Sequence, residues 1–162
     1  MVKEIPLTKG LVALIDDEDY ERVNQYKWYA CKNSNTYYVK HTINHHSKFL
    51  LHRFILGVKP NEQVDHINGN GLDNRICNLR ITTQSQNLMN RKKFTRLCSS
   101  KYKGVCWCKQ THKWSAKIQV NGKRKHLGRF LNEDDAGKAY NEAAKKHYGE
   151  YARLNQIEVN EK

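Results

Sequence analysis

Hydrophobic and polar positions change their period several times along the chain, and these changes divide it into short elements. Residues 11–14 and 28–39 have β-type patterns, and the acidic patch at residues 16–19 between them opens a short helix that ends near Tyr26. The apolar run at residues 49–56 fits a short buried helix or strand, and a glycine follows it. The first part of the chain is therefore predicted to be a small α+β lead-in.

Residues 63–92 follow the order strand, loop, strand, helix. Short β-type runs occupy residues 63–67 and 79–82, and the segment between them is rich in Asn, Gly and Asp, which favour turns. Thr82 or Thr83 is a suitable N-cap for a helix that runs through Asn87. The charged and small residues that follow predict a linker and, after it, a second domain.

The last third of the chain predicts a three-stranded antiparallel sheet. Its strands are expected at residues 104–108, 114–120 and 125–130, and Asn121-Gly122 suits a type I′ hairpin turn between the last two. Side chains alternate along the middle strand, so one face forms a core and the other, with Lys117 on it, points outward.

One helix is expected to pack on this sheet. Asn132 provides its N-cap and Gly149 closes it. Apolar residues repeat at helical spacing between them. The repeat consists of Ala136, Ala139, Tyr140, Ala143 and His147.

The charge of the chain is concentrated in its second half. The formal net charge is +13, of which +3 belongs to residues 1–91 and +10 to residues 92–162. Residues 92–130 contain twelve Lys and Arg, no carboxylate, and interleaved aromatic rings. Such a surface attracts polyanions and releases their counterions, which makes nucleic acid the first candidate partner. The alternative is a basic face that is merely solvated.

Several classes of protein are excluded. No run of about 18 apolar residues exists to span a bilayer. The first residues lack the features of a secretory signal, so a cytoplasmic protein is expected. The five cysteines form no CxxC pair, and Cys106-x-Cys108 is a poor match to zinc-ligand spacing, so we expect thiols and no structural zinc.

Four residues carry a recognisable motif. Asp65-His66 in VDHINGNGLDN, Asn78 in CNLR and Asn87 in QSQNLMNR resemble the motif of HNH nucleases, in the variant whose last position is Asn. The match covers about thirty residues at family spacing. The resemblance implies a ββα-metal nuclease core and a DNA endonuclease.

The chemistry of the reaction explains these residue types. Phosphodiester hydrolysis needs a base to activate water and a cation to neutralise charge on the leaving oxygen. The resemblance makes His66 the base, and Asp65 and Asn87 the ligands of one divalent cation, Mg²⁺ or alternatively Mn²⁺. Asn78 would hold the loop or orient the His66 ring. Taken singly, each of these residues could instead be structural, for example by capping a turn.

Residues 100–154 resemble an AP2 DNA-binding domain. The resemblance rests on Tyr-x-Gly-Val, Leu-Gly-x-Phe and Ala-x-x-Ala-Tyr-x-x-Ala-Ala elements and implies a sheet that lies in the major groove. Cys106 and Cys108 stand where plant members have arginines, which favours contacts to phosphates over reading of guanine. The DNA-contacting candidates are Lys103, Lys117, Gln119, Arg124 and His126.

Together these features predict a homing-endonuclease-like enzyme of a bacterial or phage-infected cell that cuts duplex DNA and that the AP2-like domain targets. Neither a membrane nor an obligate protein partner is expected. The alternative is a DNA-binding regulator that does not cleave. An RNA-binding protein is disfavoured because the basic sheet lacks an aromatic stacking platform. The predicted organisation is a nuclease domain at 1–91, a linker at 92–99, an AP2-like domain at 100–155 and a tail at 156–162.

Overall fold

The computed structural model describes residues 1–33, 36–43, 48–93 and 99–157. The chain divides into two compact units, Met1–Asn87 and Leu88–Lys162. Within the described residues, α-helices are combined with several small antiparallel sheets, which is consistent with the predicted α+β class. The predicted domain bounds stay predictions, and residues 94–98 of the linker and 158–162 of the tail lie outside the described residues.

The first unit begins with two small sheets and two short helices. Its elements are β1 (Val2–Pro6), β2 (Val12–Asp16), α1 (Tyr20–Asn24), β3 (Tyr29–Asn33), β4 (Thr36–Thr42), β5 (Lys48–Leu50) and α2 (Leu51–Leu56). β1 pairs antiparallel with β2, and β3, β4 and β5 form a second antiparallel sheet in that order. The run at residues 49–56, predicted as helix or strand, is therefore both: the end of β5, then α2.

The remaining elements of this unit are β6 (Gln63–His66), β7 (Leu79–Thr82) and α3 (Gln84–Asn90), which continues beyond the division between the units. β6 and β7 form an antiparallel hairpin in which His66 pairs with Leu79. The predicted order of strand, loop, strand and helix is confirmed. Thr83 and Gln86 cap α3 reciprocally, because each side chain accepts a hydrogen bond from the other's backbone N–H.

The core of the first unit lies between its sheets and helices. Ile15, Val23, Val39 and Leu51 are fully buried in one cluster. Trp28 packs in the same cluster and donates its indole N–H to the Val23 carbonyl at 2.8 Å. Burial of such side chains is the main source of stability, at about 1.5–3 kcal/mol each.

The loop between β6 and β7 is tied to the lead-in. The Leu14 N–H donates to the Leu72 carbonyl at 2.9 Å, and the Asn74 N–H donates to the Leu14 carbonyl at 2.7 Å. Gly71 packs so closely on β4 that an added Cβ would collide with the Tyr37 carbonyl oxygen. The lead-in therefore serves as a scaffold that fixes this loop.

The second unit contains the predicted three strands and helix. They are β8 (Val105–Cys108), β9 (Lys113–Val120), β10 (Lys123–Phe130) and α4 (Glu133–Tyr148). β9 is central and pairs antiparallel with both neighbours. Asn121 and Gly122 have φ values of 50° and 76°, as a type I′ turn requires, so the predicted hairpin is confirmed.

The helix α4 packs on this sheet with a face that differs from the predicted one. Asn132 caps it by accepting from the Asp134 N–H at 2.8 Å. Tyr140 and Ala144 are buried against Ile118. The buried residues are Ala136, Gly137, Tyr140, Ala144 and Tyr148. The predicted repeat was wrong at its end, since His147 is exposed and Tyr148 takes the core position.

In the described residues no helix is long and apolar enough to cross a membrane.

Candidate functional site

The four motif residues all lie in the first unit, on the β6–β7 hairpin, its loop and α3. Asp65 and His66 are the last two residues of β6. Asn78 ends the loop just before β7, and Asn87 lies in α3. The short hairpin and its capped helix thus bring two adjacent strand residues and one helix residue into the same unit.

His66 is buried, with 4% of its surface exposed. Its Nε2 lies 3.3 Å from Oδ1 of Asn74, a side chain with no exposed surface. An amide oxygen can only accept, so this hydrogen bond places the proton on Nε2 and the lone pair of the neutral ring on Nδ1. The contact therefore fixes the tautomer that has Nδ1 as its basic atom.

Two further rings surround His66. The ring of His52 meets it edge to face with centroids 4.9 Å apart, and Tyr38 lies 5.8 Å from both imidazoles. Burial lowers the pKa of His66, although the Asn74 hydrogen bond and the charges of Asp65 and Asp73 oppose that shift. Burial, followed by the charges of His66 and Arg53, lowers the pKa of His52 to about 3. Both imidazoles are therefore neutral at pH 7.

Asp65 forms an ion pair across the hairpin. Arg80, its partner in the strand register, donates from Nε and Nη2 to Asp65 Oδ2 at 3.2 and 2.9 Å. The two side chains are only 10% and 12% exposed. A carboxylate that accepts two hydrogen bonds from a guanidinium in such a buried place is fixed in position.

Asn78 braces the loop. Its Oδ1 accepts from the Asn68 N–H at 3.0 Å, and its Nδ2 donates to the Asp73 carbonyl at 2.7 Å. Asp73 is held in turn by Arg75, whose guanidinium lowers the pKa of the Asp73 carboxyl. Of the two roles expected for Asn78, these contacts correspond to holding the loop.

Asn74 is the residue that sequence reasoning did not single out. It bonds the His66 ring, a role that was expected of Asn78 as one of two alternatives. Its only signal in the sequence is its place in the Asn-rich loop, where a turn residue and a ring-orienting residue look alike.

The donors near the hairpin fit a hard cation. In the described parts of the chain, no three His, Cys, Asp or Glu side chains come together as a metal-binding group. The motif instead offers the carboxylate of Asp65 and the amide oxygen of half-buried Asn87. Oxygen ligands in small number, completed by water, are what Mg²⁺ accepts.

Comparison with known proteins assigns this site to a family. The family model described as HNH endonuclease matches residues 52–89, which include all four motif positions. An uncharacterized HNH endonuclease of Acanthamoeba polyphaga mimivirus is 33% identical over 156 residues, which cover 93% of this chain and 78% of that protein. The chain belongs to the HNH endonuclease family. HNH nucleases generally use a divalent metal, and membership of the family implies a nuclease with a DNA substrate.

A second relative of this HNH endonuclease aligns with a smaller part of the chain. Protein 3.8 of Escherichia phage T7 is 33% identical over 61 residues, which cover 38% of this chain and 50% of that protein. No solved structure is significantly similar to the chain. The family assignment therefore rests on the family model and on the viral relative.

The second unit of the HNH chain presents a basic outer face. Four of the five DNA-contacting candidates lie together there, because Lys117 pairs with His126 and Gln119 with Arg124 across β9 and β10. All four are exposed, while Ala116 and Ile118, the two neighbours of Lys117 along β9, are buried. The alternation predicted for the middle strand is therefore present from Ala116 to Gln119, whereas Ser115, which it places on the outer face, is buried.

Lys103 is placed differently. Its Nζ donates to the carbonyls of Met89 and Arg91 at 2.5 and 2.8 Å. Burial and the charge of Arg153 lower its pKa to about 8. The structure thus does not bring Lys103 to the outer face, and both of these contacts lie within the second unit.

Proposed function

We propose that the chain is a metal-dependent endonuclease that hydrolyses phosphodiester bonds in duplex DNA at the β6–β7 hairpin. The observation that carries the proposal is the environment of His66. A buried, neutral imidazole has its tautomer set by Asn74 and stands next to an ionised Asp65. A purely structural histidine needs no fixed tautomer directly after a carboxylate in the same short strand.

In this proposal His66 Nδ1 takes the proton of the attacking water. Burial keeps the imidazole neutral, so it can accept a proton at pH 7. Asn74 holds the ring by Nε2 and stabilises the proton there while Nδ1 reacts. Asn78 acts through the loop, since it fixes the backbone of the segment that carries Asn74.

Asp65 and Asn87 would hold the divalent cation, Mg²⁺ or Mn²⁺. When bound, the cation neutralises negative charge that develops on the leaving oxygen. The Asp65–Arg80 pair fixes the position of this carboxylate.

The second unit would bind DNA as an AP2-like domain and direct a homing-endonuclease-like enzyme to its target. Support comes from the exposed cross-strand group of Lys117, Gln119, Arg124 and His126 on the outer face. Phosphate contacts would dominate, since Cys106 is exposed on the neighbouring strand, where a guanine-reading arginine is expected. We place this activity in a bacterial or phage-infected cytoplasm.

The metal-dependent reaction can be tested with supercoiled plasmid, in Mg²⁺ or Mn²⁺ and in EDTA. Wild type should nick or linearise the plasmid with either metal and leave it intact in EDTA. Asp65→Asn and Asn87→Ala should require more metal, or lose activity by at least about 100-fold. Asn24→Ala, an exposed asparagine in α1, is the matched control and should cut like wild type.

The alternative function is a DNA-binding regulator in which the nuclease motif is scaffold. The ion pair of Asp65 with Arg80 favours it, since that carboxylate already has a cationic partner. Binding of DNA without cutting, in both metals and on plasmids of diverse sequence, would support the regulator and contradict the nuclease.

A further inference from the structure

The first unit contains a cavity that extends well beyond the motif residues. It has a volume of about 400 Å³ and lies among β4, β5, α2, β6 and α3. Lys40, Lys48 and Arg53 line it, and Asn87 lies at its border on α3. We call this cavity, defined by these four residues, the basic cleft. It lies entirely within the first unit.

The charged side chains that line the cleft are all positive. Among the described residues that line it, none is Asp or Glu. Arg53 is fixed in place, because its Nη1 and Nη2 donate to the carbonyls of Glu62 and Lys59 at 2.5 and 2.6 Å. Its charge is not neutralised by these carbonyls, so the cleft attracts anions.

Lys40 and Lys48 are the side chains that can reach a ligand. Lys40 pairs with Leu50 across β4 and β5, so Lys48 is its diagonal neighbour on the same face of the sheet, about 7–8 Å away. Within the described residues neither ammonium group takes part in an ion pair. Two unpaired cations side by side suit an anion that carries repeated charges.

The cleft also continues to the candidate active site. His52 lines it, and the ring of His52 lies 4.9 Å from that of His66. The rings of Tyr38 and Phe49 add apolar surface that suits sugars. If one phosphate of a polyanion lies at His66 and Asn87, the next phosphates along the same polyanion lie in the cleft.

We propose that the basic cleft binds the sugar-phosphate backbone of the DNA strand next to the phosphate that is cut, with Lys40 and Lys48 contacting phosphates. This inference rests on the proposed nuclease function, because it extends the same site. It assigns DNA binding to the lead-in, so the first unit has phosphate contacts independent of those in the second unit.

The test uses the full-length chain and a Lys40→Gln, Lys48→Gln double variant. Binding to a labelled duplex is measured by fluorescence anisotropy in EDTA over a range of salt concentrations. Loss of two phosphate contacts should reduce the slope of log K against log salt by about 2 and weaken binding on the order of 50-fold at 0.1 M salt. In Mg²⁺, KM for plasmid should rise while kcat stays within about two-fold of wild type.

The controls separate charge from structure. Lys27→Gln, Lys32→Gln removes two exposed charges outside the cleft in the same unit, and its salt slope should equal that of wild type. Lys40→Arg, Lys48→Arg keeps both charges and should retain the wild-type slope. An unchanged slope in the glutamine variant, or a drop in kcat at unchanged KM, would overturn the proposal.

Failure of the nuclease function is distinguishable from failure of the cleft. Wild type that binds but never cuts would contradict the nuclease, and the slopes measured in EDTA would still decide whether the cleft contacts DNA. Wild type that cuts, together with a glutamine variant indistinguishable from it in slope and KM, would contradict the cleft alone.

Discussion

Acid should destabilise the first unit through His52. This side chain is 5% exposed, and its Nδ1 has no hydrogen-bond partner in the described part of the chain. Burial, followed by the charges of His66 and Arg53, lowers its pKa from 6.5 to about 3. The ring is thus held neutral in the folded protein in a place where a proton is costly.

The sign and size of the effect follow from linkage. Because the pKa of His52 is lower in the folded state, the unfolded chain takes up a proton first as the pH falls below 6.5. The free energy of unfolding therefore decreases between pH 6.5 and about 3. From pH 7 to pH 5 the loss is about 2 kcal/mol for this group.

Other groups do not obscure this window. Burial lowers the pKa of His66 as well, so His66 adds a loss of the same sign. The pKa of Asp73 is lowered from 3.8 by Arg75, so its contribution is lost only as the pH falls below 3.8, outside the interval from pH 7 to pH 5. The difference between wild type and His52→Phe therefore isolates His52.

The assay is urea unfolding at pH 7 and pH 5, followed by the fluorescence of Trp28 in a Trp107→Phe, Trp114→Phe background. His52→Phe should lose about 2 kcal/mol less than its parent between the two pH values. Any packing cost of the phenyl ring is the same at both pH values and cancels. His41→Gln in the same unit is the control and should keep the parent's loss. Equal losses for the parent and His52→Phe would refute the reasoning.

Three further outcomes are expected. Asn78→Ala removes one buried and one partly buried hydrogen bond from the loop and should lower the free energy of unfolding by about 2–3 kcal/mol, measured by urea unfolding. Gly71→Ala would push a methyl group into a β4 backbone carbonyl and should cost about 1–3 kcal/mol in the same assay, whereas an unaltered midpoint would argue against that close approach. Arg124→Gln, on the outer face, should reduce the salt slope of DNA binding by about 1, while Lys146→Gln on α4 should not change it.

Local chemistry made much of the fold predictable. The N-cap of α3 at Thr83, the hairpin turn at Asn121-Gly122 and the bounds of β7 follow from residues adjacent in the chain. The same holds for the end of α2, where Gly57 adopts a left-handed conformation with φ of 60°. Such signals act within a few residues, so the sequence contains them in full.

Contacts between distant segments were not predictable in this way. The bonds of Leu14 to the loop and of Asn74 to His66 depend on how the elements pack. Lys103 was predicted to contact DNA, and only tertiary packing places its ammonium against backbone carbonyls. No sequence motif marks Lys40 and Lys48, because the register of β4 and β5 is what places them on the same face of the sheet.

The most direct test of the central claim is the single-turnover rate of plasmid cleavage in Mg²⁺ for wild type, His66→Ala and His147→Ala. His147 is exposed on α4 and controls for the loss of an imidazole. We predict that His66→Ala slows cleavage by at least about 100-fold with unchanged DNA binding, and that His147→Ala cuts like wild type. Cleavage by His66→Ala at the wild-type rate would contradict the assignment of His66 as the base.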